Sequence, residues 1–182
     1  MLNEIVTRPA GEDDIDEMER LFLASFTDAA NAEEGLMVSR LARDLWETSP
    51  RGDVLGWGAW HDQRIVGAVL MSRLNRESDL LAFLLSPMAV ATEYQRRGIG
   101  QRLIRVALES LQRKGAQFVA TYGDPAYYAR VGFEPLSIDA FAPPFPLSQP
   151  QGWLGQSLAD PPVTHWPGPA TVVPALHDPS LW

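Results

Sequence analysis

The spacing of apolar residues predicts two amphipathic helices near the N-terminus, one over residues 13–26 and one that begins at Asn31 and ends before Pro50. In each helix the apolar positions recur every three or four residues, so they share one face. We expect both faces to pack on the same side of a sheet. The apolar positions are Ile15, Met18, Phe22 and Phe26 in the first helix and Met37, Leu41 and Leu45 in the second.

Short runs of apolar and β-branched residues predict the strands of that sheet. Two of these runs are separated by a short polar segment, which indicates an antiparallel hairpin. The run at residues 80–90 is apolar at almost every position, as in a central strand that is buried on both faces. Because Pro87 cannot donate a hydrogen bond to a neighbouring strand, we expect a bulge or a splay there. The predicted strands are residues 5–8 (ended by Pro9), 53–60, 64–74, 80–90 and 116–122.

A third amphipathic helix over residues 99–114 and a short helix over residues 126–131 complete this part of the chain. Gly115 is well placed to end the third helix. The order of strands and helices predicts a mixed α/β fold. The buried stripe of the third helix consists of Ile99, Leu103, Ala107 and Leu111.

Residues 142–182 differ in composition from the rest of the chain. They hold ten of the 15 prolines and three of the six tryptophans, and they contain no Lys or Arg. Proline-rich segments are often linkers, but tryptophans left exposed in a linker would be unfavourable. We therefore expect this tail to pack on the core through strands near residues 153–158 and 170–173. A single domain is predicted for residues 1–182, with its core in residues 1–141.

The composition, 46% hydrophobic and 21% charged, is ordinary for a soluble globular protein. No apolar run approaches the ~18 residues of a membrane helix, and residues 1–9 lack the apolar core of a signal peptide. The absence of cysteine excludes disulfides, thiolate metal sites and a cysteine nucleophile. We expect a cytoplasmic protein without a membrane partner. The net charge of −8 argues against nucleic acid as a partner.

The charge is unevenly distributed, since residues 96–114 carry +5 and the rest of the chain carries −13. This cationic segment begins in residues 94–101, here called the glycine turn, between the strand at 80–90 and the third helix. Free N–H groups and the helix dipole make such a helix start a good phosphate site. Gly98 and Gly100 would let a phosphate approach the backbone, and two arginines add charge. We therefore expect the glycine turn to hold the pyrophosphate of a nucleotide-like cofactor.

Three segments in this order resemble the GNAT superfamily of acyl-CoA N-acyltransferases. They are residues 87–90 (Pro-Met-Ala-Val), residues 95–100 (Gln-Arg-Arg-Gly-Ile-Gly) and residues 123–133, which end in Tyr-Tyr-Ala-Arg-Val-Gly-Phe. Residues 95–100 match the family's Gln/Arg-x-x-Gly-x-Gly/Ala signature at every position. The resemblance covers residues 5–135. It implies a twisted, mostly antiparallel sheet that is splayed at the fourth strand and flanked by about four helices.

The resemblance also implies acetyl-CoA as co-substrate, with no metal. Backbone groups of Met88 and Val90 would pair with the pantetheine arm like an added strand, and N–H groups of the glycine turn would hold the pyrophosphate. Tyr128 matches the tyrosine that protonates the leaving thiolate in many relatives; a core aromatic is the alternative. The implied cofactor-binding residues are Met88, Ala89, Val90, Gln95, Arg96, Arg97, Gly98, Ile99, Gly100, Gln101, Asp124 and Tyr127.

The chain departs from many relatives at the general base. Those relatives have a carboxylate on the strand before the signature, whereas residues 80–85 read Leu-Leu-Ala-Phe-Leu-Leu and are followed by Ser86. Water, or an amine of low pKa, would also satisfy the chemistry. The candidate bases are Glu77, Asp79, His61 and Asp124, the last of which is also a candidate cap for the short helix. The histidines His61, His165 and His177 lack the spacing of metal ligands.

These features predict an N-acetyltransferase that moves an acetyl group from acetyl-CoA to a primary amine of a small molecule or peptide. Without cysteine, direct attack in a ternary complex is expected. One alternative is a non-catalytic acyl-CoA-binding sensor or scaffold. Another is an ATP-binding enzyme, which the missing Gly-Lys-Ser/Thr disfavours. Trp153, Trp166 and Trp182 would either seal a homodimer or cover the acceptor pocket.

Overall fold

A seven-stranded sheet lies between two apolar layers in the computed structural model, which describes residues 5–182. Residues 1–4, which are part of the segment expected to lack a signal peptide, therefore lie outside the described residues. The strands are β1 (Val6–Ala10), β2 (Val54–His61), β3 (Arg64–Leu74), β4 (Ala82–Val90), β5 (Phe118–Tyr122), β6 (Glu134–Pro135) and β7 (Trp153–Ser157). The α-helices of the described residues are α1 (Ile15–Ala29), α2 (Ala32–Thr48), α3 (Ile99–Arg113) and α4 (Pro125–Tyr128).

The order across the sheet is β1-β2-β3-β4-β5-β7-β6. Every neighbouring pair is antiparallel except β4 and β5, which are parallel because the α3 crossover joins them. The prediction of a mixed α/β fold with a mostly antiparallel sheet is therefore confirmed.

β4 and β5 are paired over only part of their length. Their ladder ends where Leu85 lies opposite Thr121, although β4 itself continues to Val90. The Thr121 hydroxyl closes the ladder by donating to the Leu85 carbonyl oxygen at 2.9 Å. Beyond this point the two strands part and leave a gap in the sheet.

The predicted bulge lies in the same part of β4. The pairing with β3 skips from Leu85 to Met88 on β4 while it moves only from Met71 to Val69 on β3. β4 therefore carries one extra residue at Pro87, as the missing proline N–H leads one to expect.

The alternation of side chains along the central strands divides the core into two layers. Leu84 and Ala120 face the layer formed by α1, α2 and the tail. Phe83 and Val119 face the opposite layer, where α3 contributes Leu103 and its neighbours. Since both faces of β4 and β5 are covered, their near-continuous apolar sequences are explained.

Two strand predictions are corrected by the structure. β1 does not end at Pro9 but continues to Ala10, with Pro9 opposite Trp57. A proline is tolerated there because β1 is an edge strand whose outer side needs no donor. The strand predicted at residues 170–173 is absent, because the Ala170 N–H donates to the Ala142 carbonyl instead of to a strand.

The tail is packed by its tryptophans. Trp153, Trp166 and Trp182 are at most 5% exposed. Each indole N–H donates to a backbone carbonyl at 2.8 to 3.1 Å, and the acceptors are Phe141, Ala142 and Leu176 in turn. These rings are buried in the core of their own chain, so they neither seal a homodimer nor cover an acceptor pocket. Within residues 5–182, no helix has the length and apolar character to cross a membrane.

We predict that Trp153→Ala lowers the free energy of unfolding by about 3–5 kcal/mol, because it removes a fully buried ring and its hydrogen bond to the Phe141 carbonyl. Chemical denaturation measures this loss. Leu36→Ala is the control, since Leu36 is 45% exposed and its truncation should change the free energy by about 0.5 kcal/mol or less. Equal effects of the two substitutions would show that the tail does not stabilise the fold.

Candidate active site

A cavity of about 390 Å³ opens where β4 and β5 part, and we call it the central cavity. It is bounded by the end of α1, the end of β4, the glycine turn and α4. Ten of the predicted cofactor-binding residues line it. They are Met88, Ala89, Val90, Gln95, Arg96, Gly98, Ile99, Gly100, Gln101 and Tyr127.

The glycine turn presents the start of α3 to this cavity. Gly98 precedes the helix with φ +75°, and Arg96 also has a positive φ of +61°. The first intrahelical bond runs from the Arg102 N–H to the Gly98 carbonyl at 3.0 Å, so the N–H groups between them have no acceptor within the helix. No acidic residue lies in the first turn of α3. These free donors and the helix dipole favour an anion.

Glycine is required at the two positions of the turn for different structural reasons. Gly98 needs a left-handed backbone, and a side chain there would meet no atom within 4 Å. At Gly100 a Cβ would lie 2.3 Å from Tyr127 Oη and 2.7 Å from Met88 Cε. The missing side chain of Gly100 therefore lets α3 lie directly against the side chains of the cavity.

The backbone of β4 also faces the gap. The Ala91 N–H donates to the Val66 carbonyl at 2.9 Å, which makes Gly67 and Val90 a pair without hydrogen bonds between them. Val90, and Met88 two residues earlier, therefore turn their N–H and C=O groups away from β3 and toward the side that β5 has left.

Two side chains hold the Val90 carbonyl in place. Gln95 Nε2 donates to it at 3.0 Å, and the Ser25 hydroxyl donates at 3.4 Å. The first bond ties the glycine turn to β4, and the second ties α1 to the same point. This gives the first residue of the family signature a structural role, since Gln95 fixes the turn relative to the strand.

Tyr127 and Tyr128 lie side by side on α4, with ring centroids 5.2 Å apart in a T-shaped arrangement. Tyr127 lines the central cavity. Tyr128 lies behind it against Gly123 and Phe133. Burial raises the pKa of Tyr128 to about 12, and a hydrogen bond with the Thr121 side chain opposes this rise. Burial also raises the pKa of Tyr127.

Two predicted cofactor-binding residues lie outside the lining of the central cavity. Arg97 faces a neighbouring cavity, where its Nη2 donates to the Glu93 carbonyl at 2.9 Å. Asp124 accepts the Ala126 N–H at 2.9 Å, so it caps α4 as the alternative interpretation predicts.

The candidate bases are not brought to the central cavity. Glu77 and Asp79 precede β4, whose first residue, Ala82, already lies about 20 Å along the strand from Met88 at about 3.3 Å per residue. His61 Nδ1 lies 2.9 Å from Tyr94 Oη, beside the neighbouring cavity. Among residues 5–182, no carboxylate lines the central cavity.

Several lining residues were not predicted as site residues. Ser25, Phe26 and Ala29 come from the end of α1, whereas Tyr94 begins the glycine turn and Arg130 follows α4. Arg130 lies within the segment that carries the family resemblance, so its position in the sequence could have identified it as a site residue. Nothing local in α1 distinguishes its last turn, because the contact depends on how the helix crosses the sheet. No group of three or more potential metal ligands is found in the part of the chain that the structure describes.

Comparison with known proteins agrees with this geometry. A family model described as an acetyltransferase (GNAT) domain matches residues 53–135. The chain is 35% identical over 130 residues to the Escherichia coli (strain K12) protein named uncharacterized N-acetyltransferase YjhQ, which covers 68% of this chain and 72% of that protein. It is also 35% identical over 82 residues to uncharacterized N-acetyltransferase YhbS of the same strain, covering 44% of this chain and 49% of that one.

Solved structures share the fold. The crystal structure of YhbS from Escherichia coli in complex with CoA superposes with a TM-score of 0.83 at 26% identity, covering 96% of this chain and 92% of that one. A GNAT acetyltransferase from Brucella melitensis in complex with acetyl-CoA gives a TM-score of 0.64 at 22% identity, covering 94% and 96%. With the sequence match to YjhQ, the splayed sheet and the turn signature, this chain belongs to the GNAT family of acyl-CoA-dependent N-acetyltransferases.

Proposed function

We propose that this protein transfers an acetyl group from acetyl-CoA to a primary amine of a small molecule or peptide, by direct attack within a ternary complex. The observation that carries the proposal is the central cavity, where the free edge of β4, the start of α3 and Tyr127 of α4 meet, with Tyr128 directly behind Tyr127. The CoA in the YhbS structure and the acetyl-CoA in the Brucella melitensis structure support the choice of co-substrate.

The start of α3 is suited to the pyrophosphate of acetyl-CoA. Its free N–H groups point to the cavity, and Arg96 and Arg130 lie on the same lining. The two arginines supply charge, whereas the backbone supplies direction. The pantetheine arm carries two amides, and the Met88 backbone groups at the gap could pair with them as an added strand would.

The reaction forms a bond between the amine nitrogen and the acetyl carbon and breaks the bond between that carbon and sulfur. A proton must leave the nitrogen, and one must reach the sulfur. We assign to Tyr128 the hydrogen bond to the departing thiolate. With a pKa of about 12, Tyr128 remains a phenol throughout the neutral range.

The raised pKa limits what Tyr128 can do. Because burial disfavours the charged phenolate, complete transfer of the phenol proton to the thiolate is unfavourable. Tyr128 therefore acts as a hydrogen-bond donor whose proton moves only when another proton replaces it. The amine proton can leave through water, or the amine can be weakly basic and arrive uncharged.

The proposed function is tested by thiol release from acetyl-CoA with a panel of primary amines, followed by mass spectrometry of the products. An acetylated amine is the expected result. Tight binding of acetyl-CoA with no turnover of any amine would instead favour the non-catalytic sensor.

We predict that Gly98→Ala weakens CoA binding about tenfold, because a left-handed backbone is strained for alanine and the relaxed turn redirects its N–H groups. Calorimetric titration with CoA measures the change. Gly115→Ala is the matched control, since Gly115 also has a positive φ, +88°, and open space but follows the end of α3. Both substitutions should lower the free energy of unfolding by about 1 kcal/mol. Equal CoA affinities for the two variants would refute the role of the turn.

We predict that Tyr128→Phe lowers kcat about a hundredfold and leaves the CoA affinity unchanged, because only the hydroxyl is lost. Spectrophotometric titration of tyrosinate should show that this variant lacks one group with a midpoint near pH 12. Since the folded state holds the phenol proton more tightly than the unfolded chain does, this hydroxyl lowers stability only as the pH rises from about 10 to about 12. An unchanged kcat, or a missing group that titrates near pH 10, would contradict the assignment.

A further inference from the structure

The neighbouring cavity described above has a volume of about 610 Å³ and lies on the other side of the first turn of α3. We call it the second cavity. Gly100 and Gln101 face the central cavity together with Tyr127 of α4. Arg102, in contrast, faces the second cavity together with His61 of the β2–β3 hairpin. The start of α3 therefore forms a wall between the two cavities, and Tyr94, Gly98 and Ile99 line both of them.

The second cavity is rich in positive charge. Arg64 from β3, Arg97 from the glycine turn and Arg102 from α3 contribute three guanidinium groups to its lining. The only carboxylate of its described lining belongs to Glu93, which pairs with Arg64 at 3.1 Å. This excess of cations stands in a chain whose net charge is −8.

Two of the three guanidinium groups have no carboxylate partner among the described residues. Arg97 donates to the Glu93 carbonyl oxygen and lies 5.3 Å from the centre of the Tyr94 ring, but it has no carboxylate partner among the described residues. The Arg102 side chain is exposed and has no hydrogen bond or ion pair within residues 5–182. Tyr94, whose hydroxyl is held by His61 Nδ1 at 2.9 Å, gives the cavity an aromatic wall.

We propose that the second cavity binds a small polyanion of the phosphate type, separately from acetyl-CoA. Guanidinium groups that converge from three segments repel one another, and an anion between them removes this repulsion. Their forked donors match the oxygens of a phosphate or diphosphate. The site goes beyond the proposed acetyl transfer and does not depend on it.

The test uses inorganic pyrophosphate as the probe and protein that is saturated with CoA, so that the central cavity is occupied. Calorimetry should show one pyrophosphate per chain. Arg102→Gln should weaken this binding at least about tenfold. Arg113→Gln is the matched control, because Arg113 is also exposed and lies in the last turn of the same helix. It should change the affinity by no more than about twofold.

Two outcomes would overturn the proposal. If saturation with CoA abolishes the binding of pyrophosphate, the probe uses the CoA site alone. If Arg102→Gln and Arg113→Gln weaken binding equally, only the general charge of α3 attracts the anion. Should the protein fail to bind CoA, which would count against the proposed function, the comparison of the two variants still decides this site.

Discussion

The early end of pairing between β4 and β5 is the constraint on which the rest of the site depends. A strand that loses its neighbour exposes backbone N–H and C=O groups that need partners. Here the hydroxyl of Thr121 closes the last rung, and Gln95 and Ser25 satisfy the Val90 carbonyl. The Met88 groups are left facing the cavity. The fold thus keeps open a short edge that the amides of an extended ligand can complete.

Burial beside this gap explains the raised pKa values of Tyr127 and Tyr128. The turn after β5 brings Gly123 against the Tyr128 ring, and Phe133 closes the other side. A phenol in such surroundings ionises reluctantly, because the charged form loses its hydration. In the proposed reaction the sulfur must gain a proton, and the residue that we assign to it, Tyr128, holds its own proton firmly. This arrangement favours stabilisation of charge by a fixed dipole over outright proton donation.

Local patterns were sufficient to predict most elements and the position of the glycine turn before α3. Each of these features is encoded by residues close together in the sequence. Examples are the apolar stripe of α3, the bulge at Pro87 and the turn signature at residues 95–100. The predictions that were wrong concern segments whose structure depends on residues far away in the sequence. The backbone of residues 170–173 bonds to the Ala142 carbonyl and to Asn75, so an extended run found no strand to pair with. The contribution of Phe26 to the cavity likewise follows from how α1 crosses the sheet, which periodicity does not encode.

The position of β7 has a consequence for the protein during its synthesis. β7 lies between β5 and β6, although it follows both in the chain, and β6 pairs only with β7. Until residues 153–157 have left the ribosome, the outer edge of β5 has no partner, and the rings of Phe118 and Phe141 lack the Trp166 that later packs against them. A nascent chain thus carries an apolar, unpaired edge beside an almost complete core. Such an edge invites pairing with other chains, so the order of strands exposes the nascent chain to aggregation until β7 has been made.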